Sequence, residues 1–209
     1  MHRRALLELL GACGRTWASG FPGLPDPEPG SELRVLERLA GFVRSTPDCF
    51  HRSHLAGHVT GSALVVPPGL DRVLLMLHGK LGRWLQLGGH ADGHPRVEEV
   101  ALREAREESG LEDLEFLPWE HLLGRAVPAP LPFDLDIHTL PARGGEPEHL
   151  HHDVRFLLVA RGGLEPRRNA ESRELRWVPL AEARRLTSEE SMLRQFRKLE
   201  ALAARLRPS

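Results

Sequence analysis

The stretch GGHADGHPRVEEVALREAREESGL, residues 88–111, constrains the fold more than any other part of the chain. Wound as a helix at about 100° per residue, residues 97–108 put Val97, Val100 and Ala101 on one stripe, the natural core-facing side. The same stripe runs on into Glu104, Glu107 and Glu108, whereas Arg103, Arg106 and Glu99 fall on the other side. A solvated helix would have its charge opposite the apolar residues, and this one does not. Like charges three and four residues apart repel, and burial further disfavours charged carboxylates. Two arrangements relieve the conflict. One is a divalent cation held by hard oxygens, magnesium or manganese by preference. The other is a ring of Arg–Glu pairs built with Arg103 and Arg106.

The period of the pattern changes along the chain. MHRRALLELLGACG has Leu6, Leu7 and Leu10 at helical spacing with Glu8 interrupting the apolar run, so an amphipathic helix is expected there rather than a signal peptide. FPGLPDPEPG breaks it, and Ser31 can cap a second helix carrying Leu33, Leu36, Leu39, Ala40 and Val43. From His58 the apolar runs shorten to HVTGSALVV, RVLLML and RWLQL, which read as strands. Further runs follow the acidic helix, and residues 188–206 close the chain as an amphipathic helix. The organisation expected is a helical extension over 1–54 and an α/β layered domain with a mixed sheet over 55–209.

The net charge of −1 excludes a polyanion such as a nucleic-acid polymer as main partner, but leaves room for one small phosphorylated ligand. Cys13 and Cys49 have no metal-ligand spacing and fit reduced thiols in a cytoplasmic protein. No apolar run reaches membrane-spanning length.

The acidic stretch resembles the Nudix box, G-x5-E-x7-R-E-U-x-E-E-x-G-U, where U is a bulky aliphatic residue. Gly89 opens it, Arg103 and Glu104 match the RE pair, Glu107 and Glu108 match the EE pair, and Gly110 and Leu111 close it. Ala105 is smaller than the usual aliphatic residue, and Pro95 stands where the family has its first glutamate. The resemblance implies an α/β/α sandwich with the box as loop–helix–loop. It also implies a magnesium- or manganese-dependent hydrolase that cleaves a diphosphate linkage in a nucleoside diphosphate joined to another group. By that resemblance Glu104, Glu107 and Glu108 carry the chemistry, the metal ligands include Glu107, Glu108 and the Gly89 carbonyl, and Glu104 is a ligand or the base. Arg103 holds the glutamates through an i, i+4 pair to Glu107. Proline is compatible with a first helical turn, and Glu98 and Glu99 can reach toward the region that Pro95 vacates. The chain has no tyrosine, unlike the diadenosine polyphosphate hydrolases, and no cysteine-rich zinc ribbon. Pro128 stands near the distance at which ADP-ribose hydrolases carry a proline, in a proline-rich run where chance accounts for it equally. Alternatives to the main reading are a triphosphate-sanitising pyrophosphohydrolase and a nucleotide-sensing module without turnover. Oligomeric state, including a homodimer, is left open.

A second polar wall is expected outside the box. FDLDIHTL alternates Phe133, Leu135 and Ile137 with Asp134, Asp136 and His138, and HHDVRFLLVA puts His151, Asp153 and Arg155 on one face. The pair reads as a hairpin. Its polar face is either solvent-exposed, the default for an antiparallel edge, or turned toward the box helix. In the second case Asp153 completes the metal site, and His151 and Arg155 bind the substrate. His90, directly after the box glycine, is a further substrate-binding candidate, and Asp92 either joins it or caps the helix. Trp84 is expected to pack in a strand or to stack on a base.

Overall fold

The computed structural model describes residues 2–19, 30–124 and 130–206. The proline-rich segment 21–29 and Pro128 lie outside the described residues. Two helices come first, α1 (Arg4–Ala18) and α2 (Ser31–Ser45). Ser31 opens α2 as its first helical residue, and the capping position belongs to Gly30 in the left-handed conformation. Leu6, Leu10 and Cys13 of α1 and Leu39, Ala40 and Val43 of α2 are buried in the same apolar cluster as the sheet.

Among the described residues the sheet has eight strands: β1 (Gly57–Val66), β2 (Arg72–His78), β3 (Trp84–Leu85), β4 (Leu87–His90), β5 (Leu114–Phe116), β6 (Asp134–Leu140), β7 (His149–Ala160) and β8 (Ser172–Pro179). Its main path runs β3-β2-β1-β7-β5, with β4 on β1, β6 on β7 and β8 on β2. β1 and β7 pair in parallel from Gly57↔Leu150 to Val66↔Val159, and the other pairs are antiparallel. Every residue of β1 is buried. That burial on both faces is why its sequence is apolar with little alternation.

The box helix is α3 (Val97–Ser109), followed by α4 (Trp119–Leu123), α5 (Leu180–Leu186) and α6 (Glu190–Leu206). Gly61 shows which face α3 covers. A Cβ there would lie 2.5 Å from the Val97 carbonyl and 3.2 Å from the Ala101 nitrogen, so the helix rests directly on strand backbone. Thr60 and Ser62 point to the opposite face. There Gln86 donates to the Ser62 hydroxyl and Gln195 of α6 donates to Gln86. One face of the sheet therefore carries α3 and the other α6, the α/β/α layering expected.

The hairpin of β6 and β7 forms as its alternation requires, with Leu135 opposite Val154 and Asp136 opposite Asp153. Its polar face does not turn toward α3, and it is not solvated. Thr60 and Ser62 donate to Asp153, which puts that aspartate on the α6 face. Trp84 packs in β3, with the Arg176 guanidinium 4.8 Å from its ring. Pro95 lies ahead of α3 rather than in its first turn, because the helix begins at Val97.

Candidate active site

α3 buries Val97, Val100, Ala101, Ala105, Glu108 and Ser109. The apolar stripe thus continues through Ala105, whose small side chain suits a helix lying this close to a strand. The three glutamates do not share one environment. Glu108 is 3% exposed and its Oε2 accepts from the Gly88 N–H at 2.8 Å. Glu104 is half-buried, and Glu107 faces solvent, contrary to its expected place on the inward stripe. Arg103 spans the exposed side of the cluster, at 2.7 Å from Glu104 and 3.1 Å from Glu107, as its spacing predicts.

The electrostatics follow from the burial. Loss of solvent pushes the Glu108 carboxyl up to about 8, against the pull of the Gly88 N–H, and the Glu104, Glu171 and Glu107 charges push the same way. Glu104 is also raised, first by burial, with Arg103 opposing. Glu171, on the segment leading into β8, acts on both carboxyls, so it is the acidic residue outside the box that shares their field. Sequence alternation could not find it, because it belongs to neither strand of the hairpin.

Gly89 forms the floor of the cluster. A Cβ there would stand 2.6 Å from Cδ of Glu104 and 2.8 Å from both its oxygens. Gly89→Ala is therefore expected to leave the fold intact, since the end of a flexible side chain can yield. It should raise the metal concentration needed for half-maximal activity by roughly tenfold. Metal titrations of turnover, beside a thermal melt, check this: an unchanged titration would mean that the seating of Glu104 on Gly89 is unimportant.

Glu98 and Glu99 do not fill the place of the missing box glutamate. They pair with Arg96 at the start of α3, and Glu99 also lies 3.4 Å from the His94 ring. Asp92 does not cap the helix; Arg52 holds both of its oxygens, at 2.7 and 2.6 Å.

Asp153 and Arg155 lie away from the glutamates, on the α6 face. Asp153 accepts from Thr60, Ser62 and Arg155. The Arg155 guanidinium, 4% exposed, is enclosed by Asp134, Asp136 and Asp153. Asp153 as a ligand of the box metal and Arg155 as a substrate arm are corrected on that ground: both are consumed by buried ion pairs. Arg194 and Lys198 of α6 extend the network to Asp134. His151 and His90 also sit on this face, in a group with His58, His138 and His149. His151 is held neutral, first by burial and then by the neighbouring His138, His90, His58 and His149 rings, so an imidazolium contact with phosphate is not available to it.

The NUDIX domain model matches residues 58–199. A C. elegans Ap4A hydrolase structure is similar with a TM-score of 0.54 at 17% identity, covering 71% of this chain and 98% of that one. A NUDIX family hydrolase from Clostridium perfringens gives 0.48 at 25% identity, covering 69% and 97%, and a Nudix hydrolase from M. smegmatis gives 0.49 at 22%, covering 73% and 90%. No curated protein matches the chain in sequence. With the sandwich in place, Glu108 on Gly88 and Glu104 against Gly89, and the domain model spanning most of the chain, this protein belongs to the Nudix family and is a pyrophosphohydrolase of that type.

Proposed function

We propose that the enzyme hydrolyses the phosphoanhydride bond of a nucleoside diphosphate linked to another moiety, using magnesium or manganese held by Glu104, Glu107, Glu108 and the Gly89 carbonyl. The observation that carries this reading is the Glu108 carboxylate, buried against Gly88 beside Glu104, where a negative charge is costly without a cation. The donors are all oxygen, which fits a hard ion, and the glycine floor leaves room for the Glu104 carboxylate. When bound, such a cation neutralises diphosphate oxygens and lowers the pKa of the attacking water. Arg103 is a positioning residue that restrains Glu104 and Glu107. Glu171, rather than Asp153, is the acidic residue beyond the box that joins this site in our reading. His90, next to Gly89 but on the α6 face of β4 with His58 and His151, lies away from the glutamates and is left out of this reaction.

The same reading has the protein working in the cytoplasm, which the free, buried thiols of Cys13 and Cys49 support. No helix among the described residues is long and apolar enough to cross a membrane. Product analysis tests the reaction. Metal-dependent release of two phosphomonoesters from dinucleotides or nucleoside diphosphate conjugates is the expected result. Pyrophosphate released only from nucleoside triphosphates would replace the reading with a sanitising activity. No turnover of either class by metal-loaded protein would leave a nucleotide sensor.

A further inference from the structure

The α6 face of the sheet carries a set of histidines that the reaction above does not use. His58 on β1 lies beside His151 on β7 through the parallel register, and His149 follows two residues earlier on the same face of β7. Ligand nitrogens of His58, His149 and His151 all lie within 4.8 Å of one another. Among the described residues this is a three-ligand group already drawn together, whereas the box glutamates are not. His90 closes one side, its ring 5.0 Å from His58 and 5.1 Å from His151, and His138 closes another at 5.5 Å from His151.

The geometry points to a second metal site, in which His58, His149 and His151 bind a late first-row divalent cation of the zinc type. His58 is 3% exposed, yet neither of its ring nitrogens makes a well-formed hydrogen bond, and the His54 backbone is only a loose polar contact to the ring. Nε2 of His151 is also buried and unpartnered. Unsatisfied buried polar atoms of this kind are costly and rare, and one cation can take up a nitrogen of His58 together with Nε2 of His151. His149 is set for the same task. Its Nδ1 lies 2.8 Å from the Pro147 carbonyl, which can only accept, so Nδ1 carries the proton and Nε2 keeps its lone pair.

Metal ligation requires neutral imidazole, and the burial of His58 disfavours its charged form. Zinc–nitrogen bonds of about 2.0–2.1 Å put tetrahedral ligand atoms roughly 3.4 Å apart, so modest side-chain rotations complete the set. Three imidazoles leave the fourth position open, as in zinc sites that bind a water or an anionic oxygen. Softer nitrogen donors also separate this site chemically from the carboxylates, which favour magnesium.

Cobalt(II), added to the purified full chain stripped of metal, is a spectroscopic probe of the site. One equivalent should bind with the intense visible absorption of a tetrahedral ion. His149→Ala, at a half-buried position, should lose at least about 100-fold in cobalt affinity with an unchanged circular-dichroism spectrum, and His151→Ala should do the same. Glu108→Gln should keep the cobalt spectrum, because that carboxylate lies on the other side of the sheet. Absence of the tetrahedral bands would overturn the proposal. So would a cobalt spectrum that survives both histidine substitutions, or one that disappears with Glu108→Gln.

Discussion

Glu108→Gln is expected to cut metal-dependent turnover by about 10²–10⁴-fold and, at the same time, to stabilise the metal-free protein. The two effects have one cause. The parent carboxyl is raised from 4.5 to about 8 by burial, so in the folded chain it holds its proton where the unfolded chain has released it. Stability from this group is therefore full below pH 4.5 and is lost as pH rises through about 8. Glutamine keeps an acceptor for the Gly88 N–H and has no charge to bury. Melts in chelator at pH 8.5 should show the variant more stable by about 1–3 kcal/mol, with little difference at pH 4.5. Magnesium or manganese should close the gap by stabilising the parent alone. A variant that is inactive and also less stable in chelator would indicate structural damage rather than a charge held for a cation.

Asp134→Asn is expected to have the largest effect on stability. Asp134 is fully buried and meets three cations, Arg155, Arg194 and Lys198, of which Lys198 is 1% exposed. Lys198 also pairs with Glu32 of α2 and sits 5.3 Å from the Trp17 ring of α1. Removing the anion leaves buried positive charge short of compensation, a loss of about 3–5 kcal/mol. The pH dependence runs opposite to that of Glu108. Burial alone would raise the Asp134 carboxyl, but Lys198, then Arg194 and Arg155, outweigh it and hold the group below the usual carboxylate range. Its contribution is present above the unfolded value near 3.8 and is lost as pH falls through the lower folded one. Denaturant midpoints of parent and variant should lie far apart at pH 7 and converge in acid. Equal midpoints at pH 7 would show that the ion pairs contribute nothing net.

The sequence was readable where the information is local. Helical spacing put Glu104 and Glu108 on the inward side of α3, where they lie, and wrongly put the solvent-facing Glu107 with them, while the hairpin alternation of residues 133–140 and 151–160 gave the correct pairing. Alternation says that Asp153 and Leu135 face opposite ways, but not which layer each one meets. A rule made for edge strands failed because β7 is flanked by β1 on one side and by β5 and β6 on the other. Gln195 and Lys198 were missed for a related reason: in a helix pattern long polar residues read as solvent-facing, and only the partners at Gln86 and Asp134 show why these two are buried. The histidine group needed the β1–β7 register. His149 was within reach of the alternation that linked His151, Asp153 and Arg155, whereas His58 was not.

The parallel pairing of β1 and β7 also bears on how the chain reaches this structure. Thr60 bonds to Asp153, 93 residues further on, so the central strand stays without its long neighbour until most of the sheet's residues exist. A parallel neighbour so distant in sequence carries a large loop-closure cost before any contact repays it. During synthesis, β1 would spend that interval as an apolar ribbon with one open flank. Its early companions are the antiparallel β2 and β4, together with α3 resting on Gly61. The box helix and its glycine floor are thus assembled from one contiguous stretch and can form first, while the histidine face waits for β7 to arrive. Nascent chains halted before residue 149 should then protect the amides of β4 and α3 from exchange and leave those of β1 facing β7 open.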